Sequence, residues 1–497
     1  MAQRSNSFAI FTATGRILAM LAGFVMPLFL TRFLSQENYG LYSQFYVLLG
    51  FTGSIFSFGM QSNLYYFYPG SDKSTQKSLV CNTLITMILF SLVAALFLAI
   101  PRLTTLFIKS EQLLQYAYLI SICIFFYIPT QFLFPLFVIK GDKQSSVIFP
   151  PAETITRMVF VVVAALTFKS LKAIFVAIII YHVVLFVVTL LYSYLPIRKI
   201  EGRLFDWSLL KSQLVYAVPF GLAVILNTLL RQFDKMLCIS YISPEEYAVY
   251  ALAFFGIPGV DQIYDSVGEV YILNMSSAYK DGDYEKTVTF YQEYVGKLLS
   301  FSMPLIFIVS LFAPTIFSIL FPERYLASVP FFRIYILSFV FGALGAGLVL
   351  RASGKTRFTL RAYLFSAPFY LVFTYFAIKH YGTWGAITSA MLGIILPKAF
   401  QIFFEMRLLK KSFSKYMPWK KLGKILLISF LSIIPVVVLN VLVDLPLIII
   451  IFVSILYVLF VYYYELRHGM FIVKFDEIKH AIASIKTRFN SRTRQHA

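Results

Sequence analysis

Charged side chains inside long apolar stretches are the residues of this sequence best placed to do chemistry. Arg16, Arg157, Arg231 and Lys398 are cations in such stretches, and Asp261, Asp265 and Glu269 are acids in another. If the stretches cross a bilayer, each charge costs roughly 2.5–3.5 kcal/mol at a helix centre on insertion scales, so each must face a cavity or a partner. Two of the cations have a partner within reach on their own helix. Arg157 follows Glu153 by four residues and Arg231 precedes Asp234 by three, spacings that put both members on one helical face. Arg16 has no acidic neighbour in its own stretch, and for Lys398 the nearest, Glu405, is two turns on. A cation held in a partly dry cleft binds anions, and the planar fork of arginine meets two oxygens at once.

The acids are spaced by four, which sets them along one face of a helix with a drift of about 40° per step. Three carboxylates facing lipid are untenable, so they line a cavity or pair with Arg and Lys of neighbouring helices. Lining a cavity, they suit the uptake and release of a coupling proton or sodium ion. Pro258 and Gly259 stand just before them and are residues that break a helix and free its carbonyls, as transporter sites do. Other chemistry fails on inspection. Ser353-Gly354-Lys355-Thr356 ends like a phosphate-binding loop, but Val349 stands where its first glycine belongs and no strand precedes it, so no nucleotide is expected. The five histidines show no metal spacing and no triad partner, and His182 is expected as a hydrogen-bonded packing residue. Cys81, Cys123 and Cys238 lie far apart, with neither a disulfide framework nor a metal site. No cofactor is expected beyond a coupling H+ or Na+.

The elements that position these residues follow from composition. Of 497 residues, 59% are hydrophobic and 13% charged, too little charge to clothe a soluble surface. The apolar residues come in runs of about 20, the length of helix that crosses a bilayer core. The fold class expected is an all-α polytopic membrane protein of about 14 transmembrane helices. Span one (8–33) would carry Arg16, span five (147–168) Arg157, span seven (214–237) Arg231, span eight (247–273) the three acids and span twelve (382–408) Lys398. The first span is expected to be retained rather than cleaved. The formal net charge of +20 sits in loops between spans, and every second loop is enriched. That is the positive-inside pattern, with both termini cytoplasmic and facing an anionic leaflet; it leaves no case for nucleic-acid binding. The stretch 410–424 is the densest basic loop.

The chain also repeats itself. Phe33-Leu34-Ser35-Gln36-Glu37-Asn38-Tyr39-Gly40-Leu41-Tyr42 is echoed by Tyr241-Ile242-Ser243-Pro244-Glu245-Glu246-Tyr247-Ala248-Val249-Tyr250, and Gly141-Asp142-Lys143 more weakly by Ser353-Gly354-Lys355. Both pairs are six spans apart, and an even shift preserves orientation, so two parallel six-helix repeats follow, with a cleft between them near the midplane. The domains expected are a lobe at 1–200, a lobe at 201–409, two extra helices at 410–465 and a basic cytoplasmic tail at 466–497.

The stretch Leu30 to Tyr42, with Arg32, Glu37, Gly40 and Tyr42, resembles the pattern after the first helix of polysaccharide flippases, the Wzx-like members of the multidrug/oligosaccharidyl-lipid/polysaccharide exporter superfamily. Asp234 and Lys235, followed by Glu245 and Tyr250, are similar to the second-half segment of that family, with Ala248 in place of its usual glycine. The resemblance implies two MATE-like bundles open to one side at a time, and no enzymatic activity. It implies a cargo of undecaprenyl-diphosphate-linked oligosaccharide for O-antigen, lipopolysaccharide, capsule or exopolysaccharide, moved from the cytoplasmic to the external leaflet of a bacterial inner membrane, with a polysaccharide polymerase and a chain-length regulator as partners. Under it, Arg16, Arg157, Arg231 and Lys398 become candidates for holding the diphosphate. The same superfamily holds lipid II flippases and cation-coupled drug exporters, the latter typically with twelve spans. A membrane glycan polymerase or ligase would carry a large external loop, and the longest here is short.

Overall fold

The computed structural model describes residues 19–20, 23–108, 110–443, 446–469 and 471. Arg16 and the first part of span one lie outside these residues, as does most of the tail.

Side-chain capping starts six of the long helices. Ser35, Asp72, Asp142, Asp206, Ser243 and Asp283 each accept a hydrogen bond from a backbone N–H of the first turn, satisfying donors that a helix start leaves open. In chain order the principal helices are α1 (Gly23–Phe33), α2 (Gln36–Ser57), α3 (Lys73–Ala99), α4 (Ala117–Ile139), α5 (Lys143–Phe168) and α6 (Leu171–Tyr194). They continue with α7 (Trp207–Tyr241), α8 (Pro244–Ala253), α9 (Val260–Lys280) and α10 (Tyr284–Leu311). Then come α11 (Glu323–Ala352, broken into short helices), α12 (Arg357–Leu408), α13 (Trp419–Leu442) and α14 (Leu447–Arg467). No strand occurs among the described residues.

Nine helical segments among the described residues are long and apolar enough to cross a membrane. One of them, α12, holds 52 residues and bends at Gly382, whose φ of +53° is backbone that glycine tolerates; the bend falls where the twelfth expected span begins. Large apolar side chains stand exposed in both compact units of the chain, Phe369 (68%) in one and Val441 (76%) and Ile448 (81%) in the other, as in a chain whose helices face lipid. The chain is a multi-pass membrane protein.

The expected eighth span, 247–273, is a correction. It is two helices, α8 and α9, separated at 254–259, where Gly256 and Gly259 take φ of +66° and +87° and Pro258 has no N–H to give a continuing helix.

By Cα proximity the chain divides into two compact units. Unit one comprises 1–258, 317–332 and 363–393. Within it α2 packs on α7 and α8, and at the α2–α8 crossing a Cβ on Gly40 would lie 1.8 Å from the Pro244 carbonyl oxygen. Only glycine lets the backbones approach that far. Unit two comprises 259–316, 333–362 and 394–497. There α10, α13 and α14 bury Ile308, Phe312, Ile433, Val436, Tyr457 and Val461 against one another.

The repeat found in sequence is a repeat of local structure. Ser35 (φ −61°, ψ 163°) and Ser243 (φ −67°, ψ 158°) cap α2 and α8 through bonds to the amides of Asn38 and Glu246, both 3.2 Å. In the weaker pair, Gly141 and Gly354 take φ of +70° and +68°.

Candidate functional site

Unit one holds two charged constellations. The first surrounds Arg157 on α5, an apolar helix interrupted by Glu153 and Arg157 alone after Lys143. The guanidinium carbon lies 5.7 Å from the centre of the Tyr46 ring, within the reach of a cation–π contact, and Tyr42, Tyr181 and Glu153 are close enough to interact with its charge. Tyr42 and Tyr46 pack ring against ring at 4.9 Å. Glu153 does not close an ion pair: among the described residues the pairs within 4.0 Å are Lys235–Asp234 and Lys411–Glu285. No described residue accepts a hydrogen bond from Arg157. His182 is buried beside this cluster, its ring edge-on to Tyr127 and Tyr181 at 5.1 and 5.0 Å. The hydrogen-bonded histidine expected from sequence is corrected here at one atom, since Nδ1 has no partner among the described residues; aromatic rings supply the packing.

The second constellation is built on Asp234, which is 1% exposed inside α7. Its carboxylate accepts from the Tyr250 hydroxyl on α8, from the Tyr370 hydroxyl on α12 at 3.1 Å and from Lys235 Nζ at 3.4 Å. The helix pair with Arg231 weighed from sequence does not form. Arg231 is exposed within its unit, and its carbonyl accepts from Lys235 Nζ at 3.3 Å. Lys235 in turn sits 4.2 Å from the Phe254 ring centre. A buried carboxylate with three donors is a satisfied network of the kind that fixes helices in register.

The other residues of the sequence motif have separable duties in unit one. Arg32 donates to Leu28 O and to Ile319 O at 3.3 and 3.1 Å. Arg324 donates to Thr31 O and Leu34 O at 2.6 and 2.9 Å, so the open carbonyls at the end of α1 meet guanidinium groups. Glu37 is an exposed acid in the first turn of α2, and Glu245, in the first turn of α8, lends its carbonyl to Gln36 Nε2 at 3.1 Å.

Unit two holds the acids. Asp261, Asp265 and Glu269 are all exposed on α9, while Val260, Tyr264, Gly268, Tyr271, Met275 and Ala278 are buried. That buried set recurs every three or four residues, the pattern of a helix with one packed face, and the three carboxylates share the other. Lys398 lies elsewhere in the unit. It lines a cavity of about 650 Å³ whose other walls are apolar, and its Nζ donates to Phe341 O at 2.9 Å.

Two buried acids of unit two were not among the site residues expected from sequence. Glu405 accepts from the amides of Val349 (2.9 Å) and Leu350 (3.4 Å) and from the Tyr416 hydroxyl (3.0 Å). Glu465, 0% exposed on α14, has neither carboxylate oxygen hydrogen-bonded among the described residues, with Lys421 near enough to feel its charge. A lone acid within an apolar run was the available signal for each. Among the described residues no group of three or more His, Cys, Asp or Glu could hold a metal ion.

Known proteins resemble this chain in sequence and in fold. The polysaccharide biosynthesis protein family matches residues 7–255. An uncharacterized membrane protein of Methanocaldococcus jannaschii is 26% identical over 277 residues, 52% of this chain; the chain spans about half the length of that curated relative, 52%. Among solved structures, the lipid II flippase MurJ in an inward closed conformation superposes with a TM-score of 0.72 at 15% identity, covering 93% of this chain and 99% of its own. An inward-facing MATE-family multidrug resistance transporter of the MOP superfamily gives 0.63 at 14% identity, covering 79% and 94%. A MOP superfamily transporter from Pyrococcus furiosus gives 0.53 at 14%, covering 82% and 96%. At these identities the likeness is one of fold.

Proposed function

This chain belongs to the polysaccharide biosynthesis protein family, which matches half its length, and from that premise we propose that it is a flippase for undecaprenyl-diphosphate-linked oligosaccharide repeat units. The units, destined for O-antigen, capsule or exopolysaccharide, pass from the cytoplasmic to the external leaflet of the inner membrane by alternating access, and both termini of the chain are cytoplasmic. A polymerase and a chain-length regulator receive the product.

The observation that supports this reading most is Arg157. Its guanidinium is borne by an apolar helix, lies 5.7 Å from the Tyr46 ring centre, and donates to no described residue. A diphosphate offers such a fork the paired oxygens it lacks, in surroundings dry enough to strengthen the contact. Arg231 and Arg16 are the further cations proposed for the cargo. Lys398, walled by apolar side chains, is not among them. Asp261, Asp265 and Glu269 are proposed to carry the coupling H+ or Na+.

The test is made in the host. Deletion of the gene is expected to trap complete lipid-linked repeat units in the cytoplasmic leaflet, and Arg157→Ala to reproduce that block while the protein still inserts. Single units that reach the outside unpolymerised would instead make the protein a polymerase. Arg157→Ala with normal export would remove the diphosphate site from α5.

A further inference from the structure

Unit two contains a cavity that the transport reading leaves without a task. It holds about 650 Å³ and is walled by Leu299 of α10, Val340 and Leu344 of α11, Ile402 of α12 and Ile425 of α13, with Lys398 Nζ as the charged group in the lining. That volume falls in the range of about 300–1,000 Å³ in which proteins enclose a small organic ligand. Phe413 and Trp419, each 49% exposed, pack edge to face at 5.1 Å, an aromatic pair of the type found at membrane–water boundaries.

A second cleft, of about 530 Å³, shares Met417 and Trp419 with the first. Its character is opposite. Lys415, Lys420 and Lys421 line it against a single carboxylate, Glu293. Two of these lysines stand in the first turn of α13, which has no acid there; cations at a helix start oppose its dipole, and a bound anion relieves that opposition. An apolar compartment thus adjoins a cationic one, with Met417 and Trp419 common to both linings.

We infer that these joined compartments bind an anionic phospholipid of the leaflet that flanks 410–424, one acyl chain in the apolar cavity and the phosphate among the lysines. In the orientation proposed above that leaflet is the cytoplasmic one, which carries the anionic lipid. Lys398 Nζ, held to Phe341 O at 2.9 Å, adds a positive charge to the lining of the apolar compartment, which favours an anionic over a zwitterionic lipid. The site is distinct from the cargo cations, which all lie in unit one or outside the described residues.

The experiment uses the full chain in detergent with Trp207→Phe and Trp384→Phe, leaving Trp419 as the sole tryptophan. Phosphatidylglycerol with a brominated acyl chain is titrated in and Trp419 fluorescence is read. Quenching is expected at concentrations about tenfold below those needed with brominated phosphatidylcholine, a preference that salt weakens. Gly423→Phe fills the cavity from α13, where a Cβ meets nothing within 4 Å, and is expected to abolish quenching. Lys398→Met keeps the volume and is expected to shrink the preference for phosphatidylglycerol; it carries the test should Gly423→Phe fail to accumulate. Equal quenching by the two lipids, or quenching undiminished in Gly423→Phe, overturns the inference. Displacement of phosphatidylglycerol by polyprenyl phosphate at lower concentration also overturns it, assigning the cavity to the cargo chain.

Discussion

Asp234 and the carboxylates of α9 stand close in sequence and receive opposite treatment. Asp234 is enclosed in α7 and saturated by two tyrosine hydroxyls and a lysine. Asp261, Asp265 and Glu269 project from the exposed face of α9 with the packed face behind them. A carboxylate consumed by fixed donors holds helices together and has no capacity left for a ligand. Three carboxylates on one exposed face add little to the packing of their own unit and remain accessible from outside it. A charge inside an apolar chain therefore points to function only after its partners are known.

The comparison breaks most visibly at Asp234. Asp234→Ala strands the hydroxyls of Tyr250 and Tyr370 in the interior and frees Lys235 from its pair. Removing one member of a buried charged network costs on the order of 3–5 kcal/mol, so a large fall in unfolding temperature is expected in detergent. Asp234→Asn, which keeps the shape and two acceptor lone pairs, is expected to lose less. An unfolding temperature unchanged in Asp234→Ala would mean that the network is incidental to the fold.

A smaller effect is expected at Gly40, which lets α2 approach the α8 segment that leads to Tyr250. With a Cβ placed 1.8 Å from the Pro244 carbonyl oxygen, Gly40→Ala must push two backbones apart, and overpacking of this sort costs about 1–3 kcal/mol. Because α8 presents Tyr250 to Asp234, the Gly40→Ala and Asp234→Ala losses are expected to fall short of additive when combined. Full additivity, read from the double variant by thermal unfolding, would separate the crossing from the network.

These features differ in how far the sequence announces them. The twin caps at Ser35 and Ser243 are legible because capping is local: the serine, the acid in the first turn and the helix start lie within four residues. Gly382 and the break at 254–259 are legible for the same reason, glycine and proline acting on their own backbone. Asp234 was visible as a charge and invisible as a network, since Tyr370 lies 136 residues away and only helix packing brings it near. The spacing rule offered Arg231 as the partner, and three donors from other positions prevailed. The Lys398 cavity was illegible in principle: its walls come from α10, α11, α12 and α13, and each wall residue reads as ordinary apolar span. Glu405 was seen only as a distant neighbour of Lys398, because its donors are backbone amides of α11 and a tyrosine between helices.

The smallest structural effect belongs to α9, and there the comparison is sharpened rather than broken. Asp261→Asn and Asp265→Asn alter exposed side chains, and substitutions of that kind usually fall within about 0.5 kcal/mol. Unfolding temperatures near that of the wild type are expected for both, in contrast to Asp234→Ala. Transport is expected to respond differently. If these carboxylates carry the coupling ion, reconstituted export driven by a proton or sodium gradient loses its dependence on that gradient in at least one of the two, while binding of the glycan lipid is retained. A variant that stays folded and keeps full gradient dependence at both positions would remove α9 from the coupling path. It would then leave Glu465, buried with neither oxygen hydrogen-bonded among the described residues, as the acid of unit two to examine by Glu465→Gln.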